Sequence, residues 1–285
     1  MLGANVFAFL IAVAVLVATV FFPTEVHGRN RKLHFKKPSK HLLELPKEIS
    51  YSDPKKSAVQ NSFSQRLFDN GRSVLIRKLT KESAFIQGMV SATLNANYYG
   101  AYMVQDMAYL YNAVNAFNRA AEKMRDQGQS EFEQFYKNES SVWESKYLAP
   151  MLRDWHLNNT QDVQPGTAAQ EYMSFLTTVS EKHAKYLAIA MLPCTMLWRW
   201  MADELFPCVQ ENSAYYSWFE VNKSGRPGDK SRLESFVDEK FRSQEEYEEA
   251  KVFFCQAMLS ELNFFSESGK ESLYVLPPDC QPLIG

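Results

Sequence analysis

One stretch constrains this chain more than any other: Ala188 to Glu204, Ala-Ile-Ala-Met-Leu-Pro-Cys-Thr-Met-Leu-Trp-Arg-Trp-Met-Ala-Asp-Glu. It has helical spacing and is apolar on almost every side, so other elements must surround it. Pro193 has no N–H, which leaves the Ile189 carbonyl without its helical partner and predicts a kink just before Cys194. A thiol at such a bend has two readings: a small core hydrophobe, or a side chain presented to a pocket.

The rest of the chain can supply the surround. Of its 285 residues 46% are hydrophobic, with 20 Phe, 14 Tyr and 5 Trp, enough for one large domain or two small ones. The formal net charge of −2 gives no electrostatic basis for a nucleic-acid partner.

From about Ala58 onward the apolar residues recur at helical spacing and strand-like alternation is scarce. Helices are predicted at 58–79, 82–93, 96–126, 129–155, 167–185, 186–206, 212–222, 231–241 and 244–267. Breaks fall at Asp69-Asn70-Gly71, at Asp126-Gln127-Gly128, from Asn158 to Gly166, at Pro207 and from Ser224 to Asp229. Such short connections make neighbouring helices antiparallel. The fold class is all-α, an up-and-down bundle over 58–285.

The leading residues differ. Val6 to Phe22 is one uncharged apolar run, and Val26 and Gly28 suit a cleavage site, so 1–28 reads as a signal peptide. The alternative is a signal anchor, because the run is nearly long enough to span a bilayer and Arg29, Arg31 and Lys32 follow it. The expected location is therefore outside the cell or in the secretory lumen, with a signal-anchored membrane protein as the alternative. Residues 29–57 are basic, carry Pro38, Pro46 and Pro54, and read as a linker or pro-segment. Sequons stand at Asn138, Asn158 and Asn222.

Cys194, Cys208, Cys255 and Cys280 could form two disulfides in three ways. If Cys194 is a working thiol, at most one bridge remains. No Cys/His spacing suits a metal, so neither metal nor cofactor is expected.

Two acids sit where acids are costly. Tyr102, Asp106 and Tyr109 share one helix face among apolar positions. Glu261 is the single acid in Phe253-Phe254-Cys255-Gln256-Ala257-Met258-Leu259-Ser260-Glu261-Leu262-Asn263-Phe264-Phe265. A buried carboxyl must be paired or hydrogen-bonded, and desolvation raises its pKa into the range useful for proton transfer. Either acid alone could be structural. With Cys194 they make a nucleophile and two carboxyls on three helices, which is how bundle cores build sites.

These residues carry a family resemblance. Tyr99, Tyr102, Gln105, Asp106, Tyr109 and Leu110 stand as in the aromatic-x-x-Tyr-x-x-Gln-Asp-x-x-Tyr-Leu helix of the TenA, or thiaminase II, family. Leu192-Pro193-Cys194 matches the family's Leu-Pro-Cys, Tyr172 a pocket tyrosine, Tyr215 to Phe219 its Tyr-x-x-Trp segment, and Glu261 to Phe265 its closing Glu-x-x-Phe motif. The order is the family's, over roughly 80–270. Trp198 replaces a usual Tyr, keeping a flat ring and losing a hydroxyl. Asn222 replaces another and loses both.

The resemblance implies a haem-oxygenase-like bundle and hydrolytic displacement at the methylene of an aminopyrimidine, either thiamin or aminomethylpyrimidine. It implies Cys194 as nucleophile and Glu261 as acid and base. Asp106 would hold the ring nitrogen and amino group, Tyr109 and Tyr172 would position the catalytic pair, and Phe85, Tyr102 and Trp198 would wall the ring. Homotetramers are common in the family, which implies a homo-oligomer. A secreted pyrimidine-binding protein without turnover is the alternative. Haem oxygenases and di-iron oxidases fit poorly, because no His occurs between His41 and His156 and no Glu-x-x-His pair is present.

Overall fold

Several helices start in this chain where a short polar side chain satisfies one of the first free amides. The computed structural model describes residues 43–46, 62–160, 163–226 and 228–280, and most of it is helix. The expected signal peptide at 1–28 lies outside the described residues, as do most of the expected linker and the first residues of the first expected helix.

The first helix, α1 (Phe63–Phe68), stops at Asp69, and Asn70 caps α2 (Gly71–Glu82) by accepting from Ser73 N. Ser83 likewise opens α3 (Ala84–Val90), and Asn95 opens the long α4 (Ala96–Asp126). Then come α5 (Ser130–Trp143), a π-helical turn at Glu144–Leu148 and α6 (Ala149–Asp154). The bundle is completed by α7 (Thr167–Lys182), α8 (Leu187–Leu205), α9 (Tyr216–Asn222), α10 (Arg232–Lys240) and α11 (Gln244–Ser268). Both α10 and α11 begin with a full capping box, Ser231 with Glu234 and Ser243 with Glu246.

Three differences from the sequence reading have physical reasons. The expected helix 58–79 divides at Asp69 and its second part runs on to Glu82, where Ser83 takes over as cap. The expected helix 129–155 widens into the π-helical turn just before Pro150, whose missing amide cannot serve the ordinary ladder. The expected helix 212–222 begins only at Tyr216, after turns. By contrast α8 runs unbroken through Pro193.

α8 is the buried centre, with every residue from Leu187 to Pro193 inside. Around it α11 packs on α8, α2 and α7, while α4 packs on α5 and α7. The tail after α11 folds back on that helix. Asn263 holds both backbone groups of Tyr274, donating to its carbonyl at 2.9 Å and accepting from its N–H at 2.8 Å. Cys255 and Cys280 form a disulfide, leaving Cys194 and Cys208 free. Within the expected linker, Leu43 pairs with the tail as a parallel bridge to Tyr274.

Candidate active site

α4, α7, α8 and α11 bring six of the eight sequence-selected residues into one hydrogen-bonded and electrostatic cluster. Glu261, 1% exposed on α11, is its hub. Tyr172 on α7 donates its hydroxyl to Glu261 Oε1 at 3.0 Å, and the Trp198 indole N–H on α8 donates to Oε2 at 2.9 Å. Tyr109 on α4 donates to the Tyr172 hydroxyl at 3.4 Å and lies 3.9 Å from Met191 Sδ. A further hydrogen bond links Tyr109 to Cys194, and Cys194 feels both Glu261 and Asp106.

The electrostatics follow from burial without a cation. Burial pushes Glu261 up to about 7, against the two donors that hold it down. Asp106 is pushed up to about 8, first by burial and then by Glu261. Among the described residues the groups that act on the Asp106 carboxyl are Glu261 and the burial itself. The Cys194 thiol is driven well above its usual value by burial, then by Glu261 and Asp106, with the Tyr109 bond opposing. Burial likewise keeps the Tyr102, Tyr109 and Tyr172 phenols neutral.

The other two selected residues form the wall. Phe85 on α3 and Tyr102 on α4 are fully buried, with ring centres 4.8 Å apart. Tyr102 lies 6.1 Å from Trp198 and 5.8 Å from Phe265, and Trp198 lies 5.5 Å from Trp218. The Trp218 indole donates to the Tyr102 hydroxyl at 3.4 Å. Sequence reasoning did not place Met191, Phe265 or Trp218 in the site, although all three lie inside or beside the motifs it used.

Trp198 thus corrects one sequence expectation. The lost phenol is replaced by an indole N–H that reaches Glu261, so a donor is kept and only an acceptor is lost. Asn222 instead turns back on its own helix and donates to the Trp218 carbonyl at 2.7 Å. Two surface hollows, about 380 Å³ beside Glu139 and Arg232 and about 500 Å³ beside Asn112 and Thr177, are lined by none of the cluster residues.

The arrangement can supply a thiol, two carboxyls poised near neutrality and a wall of aromatic rings. The model of the TENA/THI-4/PQQC family matches residues 84–270, most of the chain and all of the cluster. The chain belongs to this family. Among solved structures, the TENA/THI-4/PQQC member described here is similar in fold to a TenA homologue protein from P. horikoshii OT3. The TM-score is 0.57 at 20% identity, over 73% of this chain and 98% of that one. No curated protein matches the chain. The all-α, haem-oxygenase-like class expected from the sequence is therefore the class observed.

Proposed function

We propose that this member of the TENA/THI-4/PQQC family is an aminopyrimidine hydrolase of the thiaminase II type. The observation that carries the reading is the meeting of a disulfide-free Cys194 with Asp106 and Glu261 beside a wall of aromatic rings.

A 4-aminopyrimidine edge presents one acceptor, the ring nitrogen, and one donor, the amino group. A protonated carboxyl presents the reverse, and Asp106, at about 8, is protonated at neutral pH. Asp106 therefore pairs with the edge and gives the ring nitrogen its proton as charge develops there. Cys194 sulfur then bonds to the electron-poor ring, its proton passing to the Glu261 carboxylate and the ring electrons moving onto that protonated nitrogen. Their return expels the group on the exocyclic methylene carbon. Glu261, at about 7, is populated in both forms near neutrality. As acid it protonates a departing amine, whereas a thiazolium leaves as neutral thiazole without a proton. As base it takes a proton from the water that adds to the methylene carbon; the carbon–sulfur bond then breaks and that proton returns to the sulfur.

Cys194→Ala is expected to abolish release of hydroxymethylpyrimidine from aminomethylpyrimidine while leaving the helical circular dichroism unchanged. An unaltered rate in that variant would sink the reading.

The alternative, a pyrimidine-binding protein without turnover, is favoured by one feature: among the described residues no cation lowers the Cys194 thiol, and two acids raise it. Calorimetric titration with product analysis separates the two. Tight binding with no product supports the carrier.

A location in the secretory lumen or outside the cell is part of the proposal, with 1–28 as its signal and 29–57 as the linker to the helical domain. The Cys255–Cys280 disulfide supports it. A homo-oligomer, as is common in the family, is proposed alongside.

A further inference from the structure

α11 ends in acids, where a helix is least hospitable to them. Its last turn holds no basic residue, yet Glu267 lies in it and Glu271 just beyond, at the negative end of the dipole. Both acids are satisfied by other helices. Glu267 accepts from Thr167 N at 2.9 Å and from Ala168 N at 3.0 Å, the first two amides of α7. Gly166, the residue before them, donates to Gln105 Oε1 at 2.7 Å, and Gln105 is the chain neighbour of Asp106 on α4. Glu271 accepts from Ala84 N at 2.8 Å, the first amide of α3. α7 has no side-chain cap of its own.

Two glycines make the approach possible. A Cβ on Gly166 would overlap Glu267 Oε2 and stand 2.9 Å from Gln105 Oε1. A Cβ on Gly269 would stand 2.9 Å from Phe85 N, which is backbone and cannot swing aside.

We infer that Glu267 and Glu271 are positioning residues: the helix that carries Glu261 also fixes, through the acids at its own end, where the Tyr172 phenol and the Phe85 ring stand. Tyr172 lies in the second turn of α7, so a displacement of that helix start reaches its hydroxyl undiminished. Phe85 is the residue directly after the amide that Glu271 holds. The two clamps therefore act on different parts of the site. Glu267, with Gln105, sets the proton-bearing partner of Glu261, and Glu271 sets a wall.

The kinetic signature rests on the hydrolase reading; the spectroscopic one does not. In Glu267→Gln, kcat on aminomethylpyrimidine is expected to fall roughly tenfold or more with KM little changed. The limb of the pH profile assigned to Glu261 moves to higher pH, because a misplaced Tyr172 no longer stabilises the carboxylate. In Glu271→Gln, KM rises several-fold with kcat nearly kept. Independently of turnover, the infrared band of the protonated Glu261 carboxyl, assigned by its loss in Glu261→Gln, should titrate at higher pH in Glu267→Gln and unchanged in Glu271→Gln. The other groups facing Glu261 are Asp106, Tyr102 and Tyr109 on α4 and Cys194 and Trp198 on α8, and neither variant alters them. Glu267→Asp, which retains a carboxylate for the α7 amides, should restore part of the shift.

A folded Glu267→Gln chain with the wild-type infrared midpoint overturns the inference, even if its melting temperature falls. Should that chain not fold, Gln105→Ala takes its place and an unmoved midpoint overturns the inference equally. If the wild-type protein turns over no aminopyrimidine, the hydrolase reading fails and the infrared comparison still decides this one.

Discussion

Glu139 on α5 and Glu234 on α10 are as deeply buried as Asp106 and Glu261, yet each of the first two meets an arginine. Arg199 grips Glu234 with two bonds of 2.8 and 2.6 Å, and Ser231 N adds a third. Arg232 grips Glu139 at 2.8 and 3.2 Å, with the Trp143 indole N–H beside it. Among the described residues Asp106 and Glu261 have phenols, an indole, a thiol and each other. Acidic side chains buried to similar depth are thus set in two kinds of surroundings. Paired with a guanidinium, the carboxylate is a fixed part of the fold. Left with neutral donors, it keeps a proton within reach of neutral pH, and a fold does not need that.

The largest expected effect tests the second state. Glu261→Gln should lower turnover of aminomethylpyrimidine by about a thousandfold, within the range of general acid–base catalysis, with little change in the melting temperature. A comparable rate loss in Arg199→Ala, measured per folded molecule, would erase the contrast. That second variant should instead lose about 3 kcal/mol or more of stability in urea unfolding, because it strands the buried Glu234 charge.

Next is the dependence of stability on pH. Asp106 at about 8 and Glu261 at about 7 both lie above ordinary carboxyl values, so the folded chain keeps protons that the unfolded chain releases. Their contribution is fully present below the unfolded values, near pH 4, and is lost as pH rises through the folded ones. Denaturant curves taken between about pH 5 and 8 should show a smaller loss in Asp106→Asn/Glu261→Gln than in the wild type. An equal loss in both would mean that the two acids titrate as exposed carboxyls do.

Smaller still is the effect of Trp198→Phe. It keeps the ring and removes the donor to Glu261 Oε2, so the Glu261 titration should move up in pH, visible as a displaced limb of the pH–rate profile. Asn222→Gln should leave rate and profile unchanged, because that side chain serves only the backbone of its own helix.

The contrast also explains what the sequence reveals. Asp106 and Glu261 stand out because each is a lone acid in an apolar run. Glu139 and Glu234 do not, since polar or charged residues flank them at short range and their arginines lie 93 and 35 residues away. Helix positions are legible from periodicity, and α4 and α11 begin and end within a residue of the expected bounds. The division of the first helix and the π-helical turn are set by caps and by Pro150, whose effects depend on neighbours in space. The disulfide is one of several pairings open to the sequence, and only the fold brings Cys255 and Cys280 together. Trp198 is legible as an aromatic wall, but its bond to Glu261 spans 63 residues and no local pattern signals it. The acids at the end of α11 run against the usual dipole preference, and that anomaly is the only trace they leave in the sequence.

The short bridge at the edge of the bundle has a mechanical meaning. Leu43 donates to the Leu273 carbonyl at 2.7 Å and accepts from Val275 N at 2.8 Å. Tension arriving along the chain ahead of Leu43 would load those two parallel bonds in shear. From there it would pass along the tail and, through the covalent link between Cys280 and Cys255, into α11. A pull on Leu43 would thus be felt first by the helix that carries Glu261.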